Sequence, residues 1–185
     1  MARTFGKGKT LARASLWQGS VGDFGEERVQ LPDGREMTLA ILKHPGAAAV
    51  VPFLNEREIV LLRQYRHAAG ETLWEVPAGK LDDGEDPRLC AARELTEETG
   101  YVAGKVERVG SIYTTPGFTD EVIHLFVAYD LREGSSALEA DEVIETSSMP
   151  LSEALELIDR GEIRDAKTIC ALFQAARAHP VDPQS

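Results

Sequence analysis

Apolar residues along this chain fall into short runs, which predict strands, separated by stretches with helical spacing. Residues 47–53 and 59–65 are almost continuously apolar, which indicates strands buried on both faces. Shorter apolar runs predict further strands at 72–76, 105–113, 122–131 and 143–148. Between the last two of these, residues 132–141 are polar and contain Gly134-Ser135-Ser136, which predicts a surface loop.

The first part of the chain has a β pattern from about residue 11 to residue 43. Residues 28–31 and 36–42 flank Pro32-Asp33-Gly34, a sequence typical of a hairpin turn. We therefore expect a small β region ahead of the alternating strands and helices.

Three helices are predicted, at 87–99, 151–160 and 165–178. Asp86 is a good N-cap, Pro87 suits a first helical turn, and Gly100 is a natural stop. Helical spacing predicts that one face packs on the core and that Glu94, Glu97 and Glu98 lie together on the other. The expected core face consists of Leu89, Ala92, Leu95, Thr96 and Thr99. Strands on both sides of this helix predict an α/β fold with a mixed sheet between helical layers.

The composition of the chain limits which binding partners and which cellular compartment are expected. The chain has 185 residues, 43% of them hydrophobic, enough for one domain with a core, and a formal net charge of −11. This charge argues against nucleic acid or an anionic membrane surface as a partner. Cys90 and Cys170 lack metal-ligand spacing and predict free thiols in a reducing cytoplasm. Neither a secretion signal nor an apolar run of membrane-spanning length is visible.

One segment carries a dense acidic pattern. Gly79 is followed after five residues by Glu85, and after seven more by Arg93-Glu94-Leu95-Thr96-Glu97-Glu98-Thr99-Gly100-Tyr101. Carboxylates this close together repel one another, and a hard divalent cation would reverse that repulsion. The pattern resembles the Nudix box, and only Tyr101 departs from it, at a position that is usually aliphatic.

The resemblance implies a Nudix-type α/β/α sandwich with a mixed sheet and two or more Mg²⁺ ions, with Mn²⁺ as an alternative. It implies metal ligands at Glu94, Glu97 and Glu98, and adds the backbone carbonyl of Ala78. Glu97 and Glu98 are also expected in the catalytic machinery. The charges of Glu85 and Arg93 also predict an ion pair that clamps the loop to the helix.

Flanking residues resemble the ADP-ribose pyrophosphatase branch of this family. They are Arg63-Gln64-Tyr65-Arg66, Glu75-Val76-Pro77-Ala78-Gly79, and Thr115 to Glu121. In the last of these, Pro116 lies sixteen places after Gly100, the final glycine of the box. The resemblance implies hydrolysis of ADP-ribose to AMP and ribose 5-phosphate. It also implies that residues 1–44 form a β region exchanged in a homodimer, and that residues 45–185 form the hydrolase domain.

Substrate contacts follow from the same resemblance. Arg66 matches an arginine that contacts the diphosphate, and Arg63 is a second basic candidate. A base needs a flat aromatic partner. Trp17 and Phe118 are the expected substrate contacts of this kind, with Tyr65 a third candidate, although packing alone explains each of them.

The group that activates water is expected in the segment before the last strand. Glu142 matches a loop glutamate of the branch and is the expected base or additional metal ligand. Glu139, Asp141 and Glu145 lie close enough in sequence to compete for this role.

Three other functions fit parts of the pattern. Hydrolysis of GDP-mannose or another nucleoside-diphosphate sugar shares most of the flanking residues. A non-catalytic ADP-ribose sensor would be expected to lose box carboxylates, which are intact here. Cleavage of nucleoside triphosphates is typical of shorter relatives that lack the N-terminal β region.

Overall fold

The computed structural model describes residues 6–136 and 143–179, which divide into two compact units. One unit contains the described residues up to Pro45 together with Tyr113–Glu121. It is an antiparallel sheet in the order β1-β2-β3. The strands are β1 (Lys9–Gly19), β2 (Gly22–Gln30) and β3 (Glu36–Lys43). The predicted hairpin around Pro32 is thereby confirmed, with Gly34 at a φ of 90° in its turn.

This first unit contains a buried carboxylate, Glu27, with 5% of its surface exposed. Arg13 binds it at 2.9 Å and Lys43 at 3.2 Å, while the Thr10 hydroxyl donates to it at 3.0 Å. Although burial favours the neutral acid, these contacts hold the pKa of Glu27 below its usual range. The charge is therefore compensated within the sheet itself.

The other unit contains Gly46–Ile112 and the described residues from Val122 onward. It has one sheet in the order β7-β4-β9-β8 and a second in the order β10-β5-β6. The strands are β4 (Ala47–Pro52), β5 (Glu58–Arg66), β6 (Glu71–Glu75), β7 (Ala78–Lys80), β8 (Tyr101–Tyr113), β9 (Val122–Glu133) and β10 (Ile144–Pro150). β4 runs parallel to β9 and antiparallel to β7, so the predicted mixed sheet is confirmed.

Helices cover both faces of that sheet. They are α1 (Pro87–Thr99), α2 (Leu151–Asp159) and α3 (Ala166–Ala178). Alternate residues of β4 serve the two layers: Ala48 and Val50 pack in the cluster with α1, and Ala49 and Val51 pack in the cluster with α2 and α3. This arrangement confirms the α/β sandwich. None of the helices in residues 6–136 and 143–179 is long and apolar enough to span a membrane.

Helix α1 has its predicted bounds, but of its predicted core face only Leu95 is fully buried. Leu89 is 64% exposed, whereas Cys90, Ala91, Leu95 and Glu98 are buried. Small side chains at positions 90 and 91 let the helix approach Ala48 and Val50 of β4 closely, and that contact sets the rotation of the helix. The expectation that Glu98 lies opposite the core is therefore wrong.

Candidate active site

Helix α1 begins and ends as its sequence demands. The Asp86 side chain accepts a hydrogen bond from the backbone N–H of Arg88 at 2.8 Å, and Gly100 closes the helix with a φ of 76°. The Gly100 N–H then bonds to the carbonyl of Thr96 at 2.8 Å. These two caps fix where the helix begins and ends, and its packing against β4 then sets which residues of the box face the neighbouring strand β7.

Arg93 gathers three carboxylates. Its Nε and one Nη bind Glu85 at 3.1 and 3.0 Å. The other Nη binds Glu94 at 2.6 Å and Glu97 at 3.0 Å. The same guanidinium also donates to the carbonyl of Lys80 at 3.1 Å, so it joins the helix to the loop that enters it. The predicted Glu85–Arg93 clamp therefore forms.

The remaining box carboxylates lie against the backbone of β7. A Cβ placed on Gly79 would come within 1.9 Å of Glu94 Oε1, so only glycine leaves room for this side chain. Glu98 is 4% exposed and accepts a hydrogen bond from the Ala78 N–H at 2.9 Å through Oε2. Helix and strand thus bring Glu94 and Glu98 to the Ala78–Gly79 peptide, as the box resemblance predicts.

The ionisation of this cluster follows from its contacts. The hydrogen bonds from Arg93 lower the pKa of Glu85 from 4.5 to about 2, while the carboxylates around Arg93 raise the pKa of its guanidinium. Cys90 lies beneath the loop, with its thiol 3.4 Å from the Lys80 carbonyl oxygen. Burial raises the pKa of this thiol to about 12, so it stays neutral.

A second charged network lies at the ends of β5 and β6. Arg66 makes a bidentate contact with Glu75, with Nε to Oε1 at 2.8 Å and Nη to Oε2 at 2.7 Å. Glu75 is 1% exposed, and it also receives the ammonium group of Lys167 from α3. Lys167 in turn contacts Asp165 at 3.0 Å. Sequence reasoning missed Glu75 and Lys167, although a lone acid between apolar residues just ahead of the box was a usable signal.

The start of α3 also supports the backbone that leads into the box. Asp165 caps α3 by accepting hydrogen bonds from the Thr168 N–H at 3.0 Å and from the Thr168 hydroxyl at 2.6 Å. The Thr168 oxygen accepts one from the Val76 N–H at 3.0 Å. Val76 lies two residues before Ala78, whose N–H holds Glu98. The segment from Val76 to Ala78, which leads into the box, is thus held by hydrogen bonds from both α3 and α1.

The remaining predicted site residues are Arg63, two aromatic residues and the acids near residue 142. The Arg63 guanidinium stacks over the Trp74 ring at 5.0 Å from its centroid, on β5–β6. Trp17 and Phe118 belong to the first unit and are 51% and 50% exposed. Glu142 lies outside the described residues, as do Glu139 and Asp141. Glu145 pairs with Arg63 in the register of β10 and β5.

The donor set suits a hard cation. Carboxylates and a backbone carbonyl are the ligands that Mg²⁺ prefers in proteins. In the described part of the chain no three His, Cys, Asp or Glu side chains converge in metal-binding geometry. Glu94 and Glu97 turn toward Arg93, and Glu98 turns toward the Ala78 N–H. The missing Cβ of Gly79 nevertheless leaves room for the Glu94 carboxylate beside the backbone of β7, so the residues fit the cation in kind.

The chain is similar in sequence to known proteins. The NUDIX domain family matches residues 43–172, and the chain belongs to the Nudix family. An ADP-ribose pyrophosphatase of Bacillus subtilis is 42% identical over 89% of this chain and 90% of its own length. A methanol dehydrogenase activator of Bacillus methanolicus is also 42% identical, with the same coverage of both chains. A GDP-mannose pyrophosphatase of Cronobacter sakazakii is 44% identical over 69% of this chain and 71% of its own length.

A solved structure has the same fold. It is described as a crystal structure of an ADP compounds hydrolase and superposes with a TM-score of 0.81, covering 96% of each chain. Its sequence is 19% identical, so the likeness concerns the fold. The predicted Nudix-type architecture is confirmed.

Proposed function

We propose that the protein is a metal-dependent hydrolase that cleaves the diphosphate of ADP-ribose, giving AMP and ribose 5-phosphate. The observation that carries this proposal is the seating of Glu94 and Glu98 on the Ala78–Gly79 backbone. The Bacillus subtilis relative, named an ADP-ribose pyrophosphatase, supports the choice of substrate because it aligns over nine-tenths of both chains.

The cation we propose is Mg²⁺, with Mn²⁺ able to replace it and two or more ions in the site. Glu94, Glu97, Glu98 and the Ala78 carbonyl would hold it. When bound, Mg²⁺ would neutralise charge on the diphosphate and favour attack by water on phosphorus. Arg93 contacts all three helix and loop acids and holds them close together before any cation arrives.

The protein's own groups then have distinct tasks. Arg66 presents its guanidinium beside Glu75, where it can bind an oxygen of the diphosphate. Glu97, Glu98 and Glu142 are the proposed groups that orient the attacking water and accept its proton. The new P–O bond forms from this water as the P–O bond of the bridging oxygen breaks. Arg63, Trp17 and Phe118 are the proposed contacts to the rest of the substrate.

GDP-mannose is the second candidate substrate. The observation in its favour is the 44% identity to a GDP-mannose pyrophosphatase, which extends over 69% of this chain. Both substrates contain a nucleoside diphosphate joined to a sugar, so the same carboxylates and Arg66 would serve either of them. Discrimination then depends on contacts to the base and the sugar.

We also propose a homodimer in which the N-terminal β region of residues 1–44 is exchanged. The sheet of the first unit exposes several large apolar side chains, which a partner subunit would cover. They are Leu16, Trp17, Val21 and Met37. Light scattering on the full chain should give twice the chain mass, and a monomeric mass would contradict this assembly.

A reducing cytoplasm is the proposed location, because Cys90 and Cys170 are free thiols. No nucleic acid or membrane partner is proposed for a chain with a net charge of −11.

The substrate assignment is tested with purified protein, Mg²⁺ and a panel of nucleoside-diphosphate sugars, followed by identification of the products. We expect the highest kcat/KM with ADP-ribose, and AMP and ribose 5-phosphate as the products. Water labelled with ¹⁸O shows which phosphorus receives the new oxygen. A much higher kcat/KM with GDP-mannose would replace the first substrate by the second.

Replacing Glu142 tests the proposed base. Glu142→Gln should lower kcat by about a hundredfold, the usual size of a general base contribution. Glu145→Gln provides the comparison, because Glu145 competes for the role in sequence and is exposed in the structure. If Glu145→Gln caused the loss and Glu142→Gln did not, the base would be Glu145.

A further inference from the structure

Lys167 occupies a position that its own helix does not favour. It is the second residue of α3, where the helix dipole favours acids and disfavours a cation. Its side chain is nevertheless only 14% exposed and reaches Glu75 on β6, ninety-two residues earlier in the chain. A lysine in a helical turn where the dipole disfavours a cation indicates that contacts elsewhere in the fold require its charge.

The requirement is visible in the charges around Glu75. Two cations, Arg66 and Lys167, share Glu75 Oε2, and Asp165 then compensates Lys167. Although burial favours the neutral acid, the hydrogen bonds of Arg66 and the charge of Lys167 hold the pKa of Glu75 below its usual range. Two positive and two negative groups balance, as the burial of the Glu75 carboxylate requires.

The network around Glu75 determines which nitrogen atoms of Arg66 remain available to bind a ligand. Its Nε and one Nη are committed to Glu75, which fixes the plane of the guanidinium. Within residues 6–136 and 143–179, the second Nη makes no hydrogen bond that would hold it back from a ligand. The side chain is 41% exposed, and hydrogen bonding to Glu75, with the charges of Glu75, Glu98 and Asp165, raises the pKa of the guanidinium.

We propose that Lys167 is a positioning residue for diphosphate binding: by sharing Glu75 with Arg66, it fixes Arg66 and leaves positive charge available for the substrate. The inference rests on the proposed function of the site, and it adds α3 to the elements that build the site. Without the Lys167 charge, Glu75 and Asp165 leave the network one negative charge in excess, and the diphosphate meets a more repulsive field.

A merely structural role for Lys167 predicts something different. If the lysine only fastened α3 to β6, its loss would lower the free energy of unfolding without changing the kinetics of the folded enzyme. A role in positioning Arg66 predicts weaker binding of every diphosphate substrate, a change that appears in KM rather than in kcat.

The test compares Lys167→Met, which keeps the length of the side chain and removes its charge, with Lys167→Arg, which keeps the charge. Arg177→Met is the matched control, because Arg177 is an exposed residue on the same helix. For each full-length variant, KM and kcat are measured on ADP-ribose and GDP-mannose with Mg²⁺. The Kd of ADP-ribose is measured by calorimetry in the presence of EDTA, and unfolding is followed in urea.

We expect Lys167→Met to raise KM and Kd by about tenfold for both substrates, the usual size of an effect transmitted through a supporting residue, with kcat changed less than about threefold. Lys167→Arg should recover most of the affinity, and Arg177→Met should match the parent. If Lys167→Met does not fold, Lys167→Gln takes its place.

Unchanged KM and Kd in a folded Lys167→Met variant would overturn the inference and leave the proposed function intact. Absence of turnover on either substrate by the parent protein would overturn the proposed function instead. In that case the Kd ratio between parent and variant still decides the role of Lys167. Absence of any diphosphate binding by the parent would overturn both.

Discussion

The two charged networks, one on β5, β6 and α3 and the other on α1 and the loop that precedes it, differ in their balance of charge. Around Glu75, two cations meet two acids, and the contacts satisfy one another without outside help. Around Arg93, one cation meets Glu85, Glu94 and Glu97, with Glu98 close by on the same helix. The first network resembles the interior of a folded domain, whereas in the second three carboxylates share one guanidinium, a surplus of acids that suits a divalent cation. We propose that the balanced network positions the substrate and that the unbalanced network binds the cation.

The largest effect is expected from removing charge in the unbalanced network. Glu98→Gln keeps an oxygen that can accept the Ala78 N–H, so the fold should persist, while kcat should fall by about a hundredfold or more because the cation loses an anionic ligand. Glu56→Gln, which changes an exposed acid, is the control. Steady-state kinetics and a urea unfolding curve separate activity from stability, and a Glu98→Gln variant with parental kcat would remove Glu98 from the site.

The second-largest loss of activity is expected from filling the space at Gly79 that the Glu94 carboxylate occupies. Gly79→Ala places a methyl group where the Glu94 carboxylate now lies, with 1.9 Å to Oε1 and 2.1 Å to Cδ. The carboxylate must move, and we expect kcat/KM to fall by about tenfold or more with the fold retained. Gly117→Ala is the matched control, because a methyl group there meets nothing within 4 Å. Equal kinetics for the two variants would show that the close approach of Glu94 to Gly79 has no role.

Removing Arg93 tests how the unbalanced network is held together. Arg93→Met leaves three carboxylates without their shared cation, so we expect the free energy of unfolding to fall by about 1–3 kcal/mol. Mg²⁺ should then raise the thermal unfolding midpoint of the variant by more than it raises that of the parent, because the cation relieves the repulsion. Equal shifts in the two proteins would contradict a cation site among these acids.

The smallest expected effect is a pH dependence. The pKa of Glu85 is lowered in the folded state from 4.5 to about 2, so its contribution to stability is fully present above pH 4.5. That contribution is lost as the pH falls from 4.5 toward 2, because the unfolded state then binds the proton first. Glu85→Gln should flatten the dependence of the unfolding free energy on pH within this window. A variant with the slope of the parent protein would contradict the shift.

The sequence predicts a good part of this molecule and fails where distant segments meet. The bounds of α1 follow from Asp86 and Gly100, and the hairpin follows from Pro32-Asp33-Gly34, because caps and turns are local. The rotation of α1 is not local. Packing against β4 decides it, which is why Leu89 is exposed and Glu98 is buried.

The same reasoning explains which site residues were predictable. The carboxylates of α1 lie on one helix, so their spacing alone brings them together. Glu75 and Lys167 meet across ninety-two residues, and no periodicity in either segment predicts that contact. The short strand β7 was also missed, because three residues carry too little pattern to distinguish a strand from a loop.

The most direct test of the account is diffraction from crystals soaked with Mn²⁺ and ADP-ribose, using the anomalous signal of manganese. We expect a manganese peak bounded by Glu94, Glu98 and the carbonyl of Ala78, and we expect the Glu98→Gln variant to lack it. Ligand bound at Arg66 with no manganese beside these carboxylates would contradict the central claim that the excess negative charge on α1 captures a catalytic cation.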